Sequence, residues 1–190
     1  PPVLNNLPPE AVPLMADLGQ GLQLVGADIE TETAVPGDPI WLTLYWQAGA
    51  PLTTPPEFTL EILGQELTRV GQVQGYQGRG LYPANLWPQG QIIADRFAVR
   101  LKDDIETPVW ATAYAGLVGE ESRAAVGNIE IEPGNWPASK APALANLGDG
   151  IELTAVSVTP ETARAGDVVT VSLQWRVTAA PGQNYTTLVH

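Results

Sequence analysis

Covalent or acid–base chemistry needs a base that works near neutral pH, an activated nucleophile, a metal-ligand set or a pair of acids. This chain is poor in all of them. There is one histidine, His190, and no cysteine. Residues 1–189 therefore lack the imidazole of a Ser–His pair, the thiolate of a Cys–His pair, and any His or Cys zinc ligand. Neither a nucleophile elbow nor a phosphate-cradling glycine loop occurs. Paired carboxylates would suffice for an acid-only glycoside hydrolase, which needs two acids about 5 to 9 Å apart across a cleft. The adjacent acids are Asp103-Asp104 and Glu120-Glu121. Both sit in turn-like contexts, where neighbouring acids are ordinarily solvated surface. Asp149, in Leu-Gly-Asp-Gly, is the best single calcium ligand, but no DxDxDG pattern accompanies it. A turn-forming role for Asn146, Asp149 and their glycines is the better reading. No catalytic residue, metal site or cofactor is expected.

The aromatic residues offer a binding chemistry instead. Trp41 and Tyr45 fall on the same face of an alternating segment, opposite Ile40, Leu42, Leu44 and Trp46. Two exposed rings on one strand face resemble the platforms on which pyranose rings stack, so Trp41 and Tyr45 are the candidate ligand-binding residues. The competing reading is that a loop, the linker or a neighbouring domain covers them. Trp110 and Tyr114 alternate with the apolar Val109, Ala111 and Ala113, so periodicity leaves their face open. Trp46, Trp87 and Trp175 are expected in cores, and Trp136 in a linker.

The elements that would carry these residues read as strands. Residues 16–46 and 145–175 align without a gap at an offset of 129, with 12 of 31 positions identical. The chain thus reads as a tandem repeat, with the second copy expected to be truncated. Eighteen Pro and nineteen Gly punctuate short β-branched and aromatic runs, which points to an all-β domain. Strands are expected at 22–30, 40–48, 58–63, 66–74, 91–101, 108–115 and 124–132, then at 151–158, 168–177 and 184–190. Seven short strands joined by turns predict a two-sheet antiparallel β-sandwich, immunoglobulin-like or jelly-roll-like. The domain reading is a Pro-rich linker at 1–15, a first sandwich repeat at 16–132, an interdomain linker at 133–144 and a truncated second repeat at 145–190. The opening segment lacks the basic start and apolar stretch of a signal peptide and is expected to arrive from an upstream domain.

A formal charge of −12 argues against nucleic acid or an anionic lipid surface as partner, because either would repel the chain. No apolar run approaches the roughly 18 to 20 residues of a membrane span, so no direct membrane insertion is expected. A partial repeat would leave an apolar face and a strand edge open. Residues 145–190 are expected to pack on the first domain or to pair with a second copy, giving a two-fold homodimer.

The combined motifs resemble a known family. They are Leu18-Gly19, then Pro36-Gly37-Asp38 before a strand holding Leu44 and Trp46, then Phe58, Tyr82-Pro83, Trp87, Gly90 and Asp95. As a set they look like a β-sandwich module that follows the membrane-spanning part of large bacterial glycosyltransferase-like proteins, whose parents resemble protein mannosyltransferases. Residues 108–122 depart from that pattern. The resemblance implies an extracytoplasmic appendage of a membrane enzyme, with no catalytic residue in this chain. The expected function is a noncatalytic envelope module acting as a spacer or contacting glycan or envelope protein. The alternatives are a carbohydrate-binding module built on Trp41 and Tyr45, and the acid-only hydrolase.

Overall fold

A computed structural model describes residues 1–136, 142–179, 181–183 and 185–187. His190, and part of the strand expected at 184–190, lie outside the described residues. The chain divides into two compact units, Pro1–Glu132 and Pro133–His190.

The first unit holds ten strands, β1 (Val3–Leu4), β2 (Val12–Asp17), β3 (Leu22–Ile29), β4 (Thr33–Ala34), β5 (Pro39–Ala48), β6 (Phe58–Leu63), β7 (Arg69–Gly75), β8 (Ile92–Arg100), β9 (Val109–Leu117) and β10 (Arg123–Ile131). They form two five-stranded sheets, ordered β1-β8-β5-β3-β2 and β4-β10-β9-β6-β7. Pairing is antiparallel except for the short β4, which runs parallel to β10. This is an all-β, two-sheet sandwich.

Alternation builds the core. Ile40, Leu42, Leu44 and Trp46 of β5 are all fully buried and meet Phe58, Leu60 and Ile62 of β6, Ile93, Phe97 and Val99 of β8, and Ala111, Ala113 and Ala115 of β9. Each such aliphatic side chain contributes about 1.5 to 3 kcal/mol on burial. Phe58 sits centrally, its ring centroid 4.7 Å from Phe97 and 6.2 Å from Trp46. The small alanines of β9 let this large aromatic cluster fit between the sheets. The core face of β9 settles an open question, since Trp110 and Tyr114 lie opposite the buried alanines and are half-buried.

In the second unit β11 (Ala145–Asn146), β12 (Ile151–Thr159) and β13 (Thr170–Val177) make one three-stranded sheet. Its register reproduces the first unit at the offset of 129. Leu24 pairs with Trp46 and Gly26 with Tyr45 across a bulge; Leu153 pairs with Trp175 and Ala155 with Gln174 across the same bulge. The turns match as well. Gly19, Gln20 and Gly21 take φ of 93°, 50° and 77°, and Gly148, Asp149 and Gly150 take 89°, 47° and 69°. In both copies a side-chain oxygen two residues earlier accepts the first glycine N–H, Asp17 for Gly19 and Asn146 for Gly148. Asp149 thus belongs to a turn that Gln20 makes equally well.

Two expectations need correction. Residues 1–15 are not merely a linker, because β1 pairs with β8 and β2 pairs with β3. The prolines that suggested a linker are compatible with β2, an edge strand on which Pro13 costs no interior ladder bond. Trp175 is not a core residue like its counterpart. It is 41% exposed where Trp46 is 0%, because within the second unit the described strands form one sheet without a facing one.

Candidate functional site

The outward face of the first sheet carries Trp41 and Tyr45, and the structure separates them. Tyr45 is only 4% exposed, so the pair is not an open platform. It packs with Ala11, Ile92 and Ala94 beneath Leu4, Leu7 and Val25. The opening segment provides this cover. Leu7 reaches the sheet because Gly26 has no side chain, and a Cβ there would lie 2.9 Å from Leu7 Cδ2. The second copy has Ala155 at that register. Burial raises the Tyr45 phenol above its ordinary value, with further upward pressure from Asp28, Glu10 and Glu30. Moreover, four residues of strand span about 13 Å, more than one pyranose ring bridges.

Trp41 remains half-buried, and one face of its indole is occupied. The Arg96 guanidinium lies 4.2 Å from the ring centroid. The same guanidinium donates from Nε at 2.8 and 2.9 Å to the two oxygens of Glu30 and from Nη2 at 2.6 Å. Thr43 Oγ1 donates to Glu30 at 3.1 Å. These bonds, Arg96 first, hold the Glu30 carboxyl below its usual range. The cluster forms because Thr43 and Arg96 are cross-strand partners on β5 and β8, while Glu30 follows the end of β3. It orients an aromatic ring and a cation toward solvent.

The second notable group is Asp95, 4% exposed on the inward row of β8 between Ile93 and Phe97. Its Oδ2 accepts the Gly78 N–H at 2.6 Å. Burial pushes the carboxyl above its ordinary value, opposed by the Gly78 bond and by Arg79. Gly78, Arg79 and Gly80 take φ of 59°, 55° and 74°, a left-handed run that a buried acceptor helps to hold in place. The sequence marked Asp95 only as the acid of a motif. A charged residue on an otherwise apolar alternating row was the signal that it is inward and structural.

Other candidates are dispersed. Asp103 and Asp104 are exposed, with Asp103 3.6 Å from Arg100. Glu120 accepts a hydrogen bond from Gln20 at 3.1 Å, and Glu121 is exposed. Asp149 accepts from the Tyr185 hydroxyl. Trp87 is buried and donates its indole N–H to the Tyr82 carbonyl at 2.9 Å, closing the loop between β7 and β8. Among the described residues, no three His, Cys, Asp or Glu side chains group closely enough to hold a metal ion, and no helix is long and apolar enough to cross a membrane.

These features define a β-sandwich whose polar clusters are organised around structure and surface. No protein-family model matches the chain, and no curated protein matches it.

Proposed function

We propose that this chain is a noncatalytic, extracytoplasmic β-sandwich module, a spacer or contact appendage of a larger envelope or membrane glycosyltransferase-like protein. The supporting observation is how the motif residues are used. Gly19 and Gly37 take positive φ in turns, Asp38 accepts the Val35 N–H, Trp46 and Phe58 fill the core, and Asp95 anchors the Gly78 turn. A motif set spent on turns and core marks a scaffold. The test is protease treatment of intact cells that express the parent with a tag in this module. Digestion from outside is expected, and complete protection in intact cells with digestion after lysis would refute the location.

Carbohydrate binding is the second reading, favoured by the half-buried Trp41 beside the Arg96 cation. Quenching of tryptophan fluorescence by oligosaccharides, lost in Trp41→Ala, would support it; no response to any tested glycan would remove it. We further propose pairing of two copies through the second unit, on the support of the half-exposed Val169, Val171 and Trp175. Light scattering that gives a monomer at every concentration would rule this out.

A further inference from the structure

Within the first unit, one side of the sandwich is open among the described residues. Beyond Ile92 and Ile93, which pair with β1, and Ala94, whose N–H donates to the Pro2 carbonyl, β8 has no strand on its outer side until Leu101 bridges to Gly71 of β7. The backbone parity set by Ala94 turns the N–H and C=O groups of Arg96 and Ala98 toward that side. β7 is the last strand of its sheet, whereas β8 is covered by the short β1 only at Ile92 and Ile93. The two edges diverge from the Gly71–Leu101 bridge and enclose a cleft of about 430 Å³ lined by Phe58, Val73, Tyr76, Arg79, Arg96 and Phe97, with Gly75, Gly80 and Ala98 giving it width. Its floor is the Phe58–Phe97 ring pair, its wall an unpaired strand edge, and Arg79 stands exposed at its mouth, whereas the Arg96 guanidinium is turned to Glu30 and Trp41. None of its lining residues is acidic, in a chain whose net charge is −12. Arg79 makes no ion pair among the described residues, and the Asp95–Gly78 bond fixes the turn that carries it.

We propose that this cleft accepts an extended acidic peptide segment, which adds to β8 as a strand. The pleat dictates the pattern. Alternate side chains of the added strand point inward to Phe58, Val73 and Phe97 and must be apolar. The others point outward, toward Arg79 at the mouth, where a carboxylate is favoured. Backbone bonds to Arg96 and Ala98 supply affinity and Arg79 supplies selection for charge, the division found in strand addition generally. This narrows the partner of the contact module proposed above and rests on that reading.

The probe is a fluorescein-labelled octapeptide of alternating valine and glutamate, titrated into the full chain by fluorescence anisotropy. Saturable binding is expected, weakening as salt is raised. Arg79→Glu should weaken it at least about tenfold, while urea unfolding confirms that the variant is folded. Two altered probes leave the protein untouched: N-methylation at alternate backbone positions facing β8 should abolish binding, and lysine in place of glutamate should do the same. Absence of saturable binding to millimolar concentration, equal binding of the N-methylated probe, or indifference to Arg79→Glu would each overturn the proposal. Since the protease test on cells reads location alone, those failures leave the extracytoplasmic reading standing and are distinguishable from its own.

Discussion

Trp46 is the most informative residue to perturb, because its environment makes two opposing demands. It is fully buried, it packs against Phe58, and its indole Nε1 has no hydrogen-bond partner among the described residues. A buried tryptophan removes about 150 to 250 Å² from water, and at about 25 cal/mol per Å² that area is worth about 4 to 6 kcal/mol. Trp46→Ala is therefore expected to cost about 3 to 5 kcal/mol, the usual range for such truncations. Trp46→Phe keeps a ring against Phe58 and abolishes a buried unsatisfied donor whose desolvation costs about 1 to 3 kcal/mol. Its net cost should be no more than about 2 kcal/mol. Urea unfolding followed by circular dichroism and by the remaining tryptophans provides the assay. With a slope of about 2 kcal/mol per molar, Trp46→Ala should lower the midpoint by about 2 M and Trp46→Phe by no more than about 1 M. Equal losses for the two variants would refute the claim that the indole N–H is an uncompensated cost. Trp175→Ala supplies the contrast at the same register, and its open surroundings predict a loss of no more than about 2 kcal/mol, without a cavity contribution.

Gly26→Ala should dislodge Leu7 and press on the Val12 carbonyl, 3.2 Å from the new Cβ; the expected loss is about 1 to 2 kcal/mol with faster proteolysis near the N-terminus, and an unchanged cleavage rate would contradict the docking of Leu7. Because burial raises the Asp95 carboxyl above its ordinary 3.8, the folded state binds that proton more tightly than the unfolded state. Its stabilising contribution is full below that ordinary value and is lost as pH rises through the raised one. Wild type should thus gain on Asp95→Asn as pH falls from neutral toward about pH 4, and a difference in urea midpoints that stays flat or runs the other way would remove this account. Glu30 titrates in the opposite sense, held low by Arg96, but it does so in both proteins and drops out of the comparison. Glu30→Gln should cost no more than about 1 kcal/mol, since the Arg96 side chain is half exposed, and it should shift Trp41 fluorescence by freeing the stacked guanidinium.

Much of the fold was legible because two signals were strong. Alternation at Ile40, Leu42, Leu44 and Trp46 named the core face of β5, and the seven strands expected in the first unit all occur with ends shifted by a few residues. The face of Val109, Ala111 and Ala113 was not legible, because both sides of β9 are apolar and only contact with the facing sheet chooses between them. The candidate site was half legible. Trp41 does face outward, but Tyr45 on the same row is buried, and alternation reports the side of a strand without reporting what lies on it.

The sequence by itself determined the repeat, its offset, the alternating strands and the turn glycines, since these follow from spacing along one chain. Matching residues therefore gave matching registers and matching φ at Gly19 and Gly148, and at Gly37 and Gly166. Tertiary structure alone decided which equivalent positions differ in environment. Trp46 and Trp175 share a local pattern, yet one is enclosed by a second sheet and the other is not. It also decided that a proline-rich opening covers Tyr45, and that Arg79 and Arg96, 17 residues apart in sequence, flank one cleft. Burial is a sum over every segment that reaches a surface, and that sum is set by long-range packing which local periodicity does not record.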